Sequence, residues 1–168
     1  MIRITLLSDT HSFLDQACLK LCEGSDEIWH AGDIGKAEVS EALKELAPLR
    51  AVYGNIDDQA CRAEFPLDAE FQLGGMKFWM THIGGYPNRY SKRVRELMPL
   101  KRPDVFISGH SHILKVMRDS RFNLLHLNPG AMGLQGWHKS RTLLRFKIQD
   151  QKIQDLEVAE LPRWPAKN

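Results

Sequence analysis

Carboxylates, imidazoles and amides recur at five short places in this 168-residue chain, each just behind an apolar run. They are Ser8-Asp9-Thr10-His11, His30-Ala31-Gly32-Asp33, Gly54-Asn55-Ile56-Asp57, Thr81-His82 and Gly109-His110-Ser111-His112. Imidazole nitrogen with carboxylate and amide oxygen is a donor mixture that suits divalent transition ions. Four of the seven histidines, His11, His82, His110 and His112, belong to Asp-x-His, Thr-His and His-x-His pieces there. One such piece means little; five in order make a strong pattern. In Asp9-x-His11 and His110-x-His112 the two-residue repeat of extended chain directs both side chains to one side, so each pair is expected to grip one centre. Gly32, Gly54 and Gly109 stand directly before Asp33, Asn55 and His110, where a missing Cβ permits sharp turns and close approach.

Such a set works only if the fold brings it to one rim. The runs Ile2 to Leu7, Glu27 to Trp29, Arg50 to Tyr53, Met76 to Met80, Val105 to Ile107 and Leu124 to Leu127 are rich in β-branched and aromatic residues and read as strands. Between the first three lie helical patterns: Leu14, Cys18, Leu21 and Cys22 share one face, and Val39, Ala42, Leu43 and Leu46 share another. Strand, helix, strand, helix, strand implies parallel strands with right-handed crossovers, and their carboxyl ends converge. In the second half, Phe71 to Leu73 and Met76 to Met80 read as a hairpin across Gly74-Gly75. Leu143 to Ile148 and Ile153 to Val158 read as another, and a second, mostly antiparallel sheet is expected. A helix is expected over Asn88 to Met98, with Val94, Leu97 and Met98 inward. Its cations Arg89, Lys92, Arg93 and Arg95, continued by Lys101 and Arg102, read as a solvated face rather than a phosphate site.

Bulk properties narrow the classes. The net charge of +2 offers no field of the kind nucleic-acid binders use. No apolar run approaches the roughly 18 residues of a membrane span, and MIRITLLSDTH is charged too early for a signal peptide. Cys18, Cys22 and Cys61 are odd in number and lack CxxC spacing, which points to a reducing, cytoplasmic setting rather than a disulfide framework. The length suits one domain over residues 1–168, and no repeat or low-complexity stretch intervenes.

The five places, in this order and over nearly the whole chain, resemble the calcineurin-like metallophosphoesterases, specifically their small single-domain bacterial and archaeal phosphodiesterases. The resemblance implies an α/β fold of four layers, an α/β/β/α sandwich with two mixed sheets face to face and helices outside. It further implies a dinuclear metal centre at the strand ends. Position by position, Asp9, His11 and His112 match the ligands of one ion; Asn55, His82 and His110 match those of the other; Asp33 matches the bridging carboxylate. The implied cofactors are two divalent ions, Mn²⁺ foremost, with Fe, Ni²⁺, Co²⁺ or Zn²⁺ as alternatives. The implied reaction is in-line attack on the phosphorus of a small phosphodiester by a hydroxide bridging the ions, with phosphomonoesters as a side activity. Neither membrane nor nucleic acid is expected as a partner, and a homodimer or larger homo-oligomer is an expectation carried over from small members of the group.

The chain departs from the family in places. Many larger relatives carry a proton-donating histidine after the motif asparagine; here that position is Ile56, no side-chain general acid is identified, and activated esters should be preferred. The usual His-Gly is His82-Ile83-Gly84-Gly85. Asp57 either braces a ligand residue from behind or caps its turn with Asp58. His30, which could brace a ligand likewise, reads more naturally as a satisfied core histidine, and His126 and His138 as structural. Asn128-Pro129-Gly130-Ala131 resembles the family's Asn-Pro-Gly-Ser turn and is expected to shape the site without ligating. The tail Leu161 to Asn168 carries no identifiable mechanism. Short connections leave little room for a lid, so an open rim is expected. Two other readings stand beside the enzyme: a non-catalytic metal-binding scaffold or adaptor of the same fold, and a nuclease of the same superfamily. A dinucleotide-binding fold is excluded because no GxGxxG follows a strand.

Overall fold

The computed structural model describes residues 1–165. In chain order the elements are β1 (Ile2–Leu7), α1 (Gln16–Cys22), β2 (Glu27–His30), α2 (Ala37–Leu46), β3 (Leu49–Ala51), α3 (Gln59–Glu64) and β4 (Asp68–Leu73). There follow β5 (Met76–Thr81), α4 (Lys92–Lys101), β6 (Val105–Ile107), β7 (Leu114–Asp119), β8 (Leu124–Pro129), β9 (Ser140–Gln149) and β10 (Lys152–Pro162).

The strands form two five-stranded sheets, ordered β10-β9-β1-β2-β3 and β4-β5-β6-β8-β7. In the first, β1, β2 and β3 are parallel and the β9–β10 hairpin adds antiparallel to β1. In the second, β5, β6 and β8 are parallel, with β4 and β7 antiparallel at the edges. Both sheets are therefore mixed. The two sequence-predicted hairpins exist but belong to different sheets, which corrects the expectation of a mostly antiparallel second sheet. Hairpin patterns state local pairing and carry no information about which sheet receives them.

Period-two alternation divides each buried strand between two layers. Ile4, Leu6, Trp29, Leu144 and Phe146 of the first sheet meet Phe78, Met80, Val105 and Ile107 of the second in the core between the sheets. The opposite faces carry Leu7, Ile28 and Leu143 against Cys18, Cys22, Val39 and Leu43 of α1 and α2, and Trp79, Phe106 and Leu124 against Val94 and Met98 of α4. Four layers result: helix, sheet, sheet, helix.

Local chemistry sets the helix starts. Asp15 caps α1 by accepting from the Cys18 N–H at 2.9 Å, and its other oxygen pairs at 2.9 Å with Arg141, a guanidinium only 1% exposed. Ser91 caps α4, so that helix begins at Lys92 rather than Asn88 and runs on through Pro99 to Lys101. Arg93 turns inward to Asp68 and Lys101 pairs with Glu70; the predicted solvated face is partly a set of interlayer ties. Strand β3 spans Leu49–Ala51, two residues short of the expected Tyr53. The sequence reading did not foresee α3, which Asp58 caps through the Cys61 N–H at 2.9 Å, nor the edge strand β7. The cysteines are free and buried, and among the described residues no helix is long and apolar enough to cross a membrane. Of the predicted tail, residues 166–168 lie outside the described residues.

Candidate metal centre

The carboxyl ends of β1, β2, β3, β5 and β6 meet on one rim, and the five chemical places sit there as loops. The backbone does something that strand alternation does not. Asp9, His11, Asp33, His110 and His112 all have positive φ, between 47° and 66°. Strand β1 stops at Leu7 and β6 at Ile107, so Asp9-x-His11 and His110-x-His112 lie beyond the pleat. Their side chains converge because each pair adopts left-handed backbone, which corrects the alternation argument. Asp and His tolerate this region better than most residues, but each such position still costs about 1 kcal/mol, and strain of this kind gathers at functional sites.

Neighbouring loops hold that backbone in place. Asp9 N–H donates to Gly32 O, His11 N–H to Asp33 O, and Gly109 N–H to His82 O, each at 3.0 Å. Two glycines are required by contact. A Cβ on Gly54 would collide with Asp33, and one on Gly32, at φ +97°, would lie 2.6 Å from His82 Nδ1.

Two groups of donors result: Asp9, His11 and His112, and Asp33, His82 and His110, each with one ligand-type atom per residue within 4.8 Å of the others. Asp33 lies between the groups, its Oδ2 3.5 Å from His11 Nε2 and 3.2 Å from His82 Nε2. Its other oxygen is held by the Ile56 N–H at 3.1 Å. Asp9 Oδ1 is 3.1 Å from His112 Nε2, 3.8 Å from His11 Nε2 and 3.9 Å from His82 Nε2. Asn55, exposed on the same rim, lines a cavity with His82.

These donors fit divalent ions. Asp9 Oδ1 and His82 Nε2 are buried with no hydrogen-bond partner, an arrangement that costs several kcal/mol unless something else satisfies them. His82 Nδ1 lies 2.7 Å from the carbonyl oxygen of Ala31, which places the proton on Nδ1 and leaves Nε2 as a lone pair. His11 Nε2 and His112 Nε2 face each other at 3.3 Å. Carboxylate oxygens and imidazole lone pairs crowded together call for a cation.

The charges respond accordingly. Burial opposes ionisation of Asp9, but His11, His112, His82 and Ser8 overcome it and hold its carboxyl well below the usual range. Asp33 is likewise lowered against burial, by His82 and the Ile56 N–H. His112 is raised, chiefly by Asp9; His82 is raised although burial opposes it; His110 is lowered by burial and by His82.

Around this set stand residues that position it. Asp57 accepts from the N–H groups of Gly54 and Gly35 at 2.7 Å and of Ile34 at 3.2 Å, so one carboxylate ties the Asn55 loop to the Asp33 loop. It braces backbone rather than an imidazole, its bond from the Gly54 N–H closes its own turn, and Asp58 caps α3. His30 is saturated: Gly32 N–H donates to Nδ1 at 3.1 Å, and Nε2 lies 3.0 Å from Thr10 Oγ1. It touches no donor atom of the centre but holds the two loops that carry Asp9, His11 and Asp33. Asn128 donates to Gly109 O and Ser111 Oγ and accepts from Gly130 N–H, which shapes the His110 loop. The tail packs: Arg163 donates to Leu134 O at 2.9 Å, Gly136 O at 2.6 Å and His138 O at 3.2 Å. That grips the loop whose His138 ring packs edgewise on His112 at 5.5 Å. A lone arginine among prolines carries no sequence signal for that contact.

Comparisons with known proteins identify the family. Residues 2–151 match the family model of the calcineurin-like phosphoesterase superfamily domain. A probable metallophosphoesterase of Methanothermobacter thermautotrophicus is 30% identical over 135 residues, 76% of each chain. Among solved structures, a novel archaeal phosphodiesterase superposes with a TM-score of 0.76 at 21% identity, over 95% of this chain and all of that one. Vps29 complexed with Zn²⁺ from Entamoeba histolytica superposes with a TM-score of 0.74 at 15% identity, over 96% and 99%. The two structures share the fold; with the family match and the identity to the archaeal relative, they lead to one assignment. This chain belongs to the calcineurin-like phosphoesterase superfamily.

Proposed function

We propose that this protein is a metal-dependent phosphodiesterase acting on small phosphodiesters. One observation carries the reading: Asp33 lies between two groups of donors, with Oδ2 within 3.5 Å of an imidazole nitrogen from each. Asp9, His11 and His112 would hold one ion, Asn55, His82 and His110 the second, and Asp33 would serve both. Such a pair of ions supplies neutralisation of the phosphoryl oxygens and a nucleophile formed from water at neutral pH. The chain supplies the rest. Ala31 O keeps the proton of His82 on Nδ1, so Nε2 is ready as a donor, and the Ile56 N–H holds one Asp33 oxygen so that the other faces the imidazoles. With Ile56 where a histidine could have stood, no side-chain general acid is identified among the described residues, and esters with stable leaving anions are favoured. The mixed donor set suits Mn²⁺ well, and the free, buried thiols suit a cytoplasmic setting.

A non-catalytic scaffold is the second reading, since a Vps29 shares the fold. The full set of seven donors, held at the cost of five left-handed residues, favours catalysis. Chelated protein reloaded with single metals, assayed in parallel on an aryl phosphodiester and an aryl phosphomonoester, decides the matter. Faster diester turnover with Mn²⁺ is expected. No metal-dependent turnover on either ester supports the scaffold, and a monoester preference overturns the substrate class.

A further inference from the structure

Beside the second donor group lies a cavity of about 380 Å³ that the reaction itself does not require. Its floor includes Asn55 and His82, and its walls include Tyr53, Leu67 and Ile83. Leu67 and Ile83 are 44% and 45% exposed. Single exposed hydrophobes are ordinary, but two on the wall of one cavity that opens onto a polar rim form a concave apolar patch.

The two arginines lining this cavity are both engaged within the protein. Arg93 gives Nη1 and Nη2 to the two oxygens of Asp68 at 2.7 and 2.9 Å, and Nη2 also reaches Thr81 Oγ1 at 2.7 Å. Its charge is compensated. Arg62 donates Nε to Asp57 O at 2.7 Å and Nη2 to Asn55 O at 3.2 Å, while its guanidinium lies over the Tyr53 ring at 4.8 Å. A guanidinium stacked on an aromatic ring is a flat wall that suits another planar group.

We propose that this cavity receives the ester substituent that stays on phosphorus, and that this substituent is an aromatic group. The inference rests on the phosphodiesterase reading. In-line displacement places the leaving oxygen opposite the attacking one; the cavity contains donors from the Asp33 group only and lies to one side, where a retained substituent extends. Its volume is within the range of small-molecule sites and far larger than a methyl group needs.

The test keeps the leaving group constant. Phenyl 4-nitrophenyl phosphate and methyl 4-nitrophenyl phosphate are compared as substrates, and phenyl phosphate and methyl phosphate as ligands by calorimetry, all on Mn²⁺-loaded protein. The phenyl diester is expected to be favoured about tenfold in kcat/KM, mainly through KM, and phenyl phosphate to bind about tenfold tighter. Leu67→Ser, at an exposed position where folding is not at stake, should reduce both ratios to about twofold. Hydrolysis of both diesters with equal KM, and equal binding of the two monoesters, overturns the cavity assignment while leaving the phosphodiesterase reading intact. Absence of hydrolysis with the binding preference retained and lost in Leu67→Ser overturns that reading and leaves the cavity as an aromatic phosphate-ester site.

Discussion

Four histidines at the rim and two in the layers beneath it are the same residue in opposite situations. At the rim, His82 Nε2 has no hydrogen-bond partner and faces Asp33 at 3.2 Å, while His112 Nε2 faces Asp9 at 3.1 Å. Beneath, His30 spends both nitrogens on Gly32 and Thr10 and is neutral, with burial pushing it down to about 4. His126 is also buried and down to about 4, but its ring stacks on Phe106 at 5.6 Å and both nitrogens lack side-chain or backbone partners of good geometry. An unpartnered nitrogen alone does not mark a cation site. A carboxylate facing it does, and the difference separates a centre built for positive charge from a core that excludes it.

The comparison breaks most severely at Asp33. Asp33→Asn keeps the shape and removes the charge shared by both donor groups, so metal-dependent diester turnover should fall more than about a thousandfold, as steady-state kinetics would read. Turnover within tenfold of wild type, with metals loaded, would mean that Asp33 does not serve both groups. The next effect falls on the brace behind the rim. Asp57→Ala leaves two buried N–H groups and one part-buried N–H without their acceptor, and urea unfolding should show a loss of about 3 to 5 kcal/mol. A loss under 1 kcal/mol would show that water replaces the carboxylate and the loops hold themselves.

The smallest effect sharpens the other side of the comparison. Because His126 titrates near 4 folded and about 6.5 unfolded, the unfolded chain takes up its proton first. Its contribution is full above pH 6.5 and is lost progressively as pH falls toward 4. His126→Phe removes that dependence, so in chelated protein the variant should gain about 2 kcal/mol relative to wild type between pH 7 and pH 4.5. Parallel stability profiles across this range would place His126 in contact with water. The rim histidines His82 and His112, raised rather than lowered, act in the opposite sense, which is why the difference between variant and wild type is the informative quantity.

Much of this was legible in the residues. Strand ends could be read because apolar runs stop abruptly at Asp9, Asp33, Asn55, His82 and His110, and the parallel order followed from the helical faces between them. The left-handed backbone of Asp9 and His11 could not be read, because a pleated and a left-handed Asp-x-His have the same letters. Asp57 was ambiguous for a similar reason: a carboxylate that gathers three N–H groups from two loops looks in sequence like one that caps its own turn. Helix α3 escaped notice because six residues carry too little periodicity, and its only mark was Asp58 ahead of Cys61. Arg163 lies 29 residues from Leu134, and no local pattern predicts that pairing.

The most direct test of the central claim is the count of ions. Chelated protein titrated with Mn²⁺ in a calorimeter, with bound metal verified by elemental analysis, should take up two ions per chain, and Asp33→Ala should weaken both. Uptake of one ion or none by the wild-type chain, or a variant that binds two ions as tightly, would contradict the account.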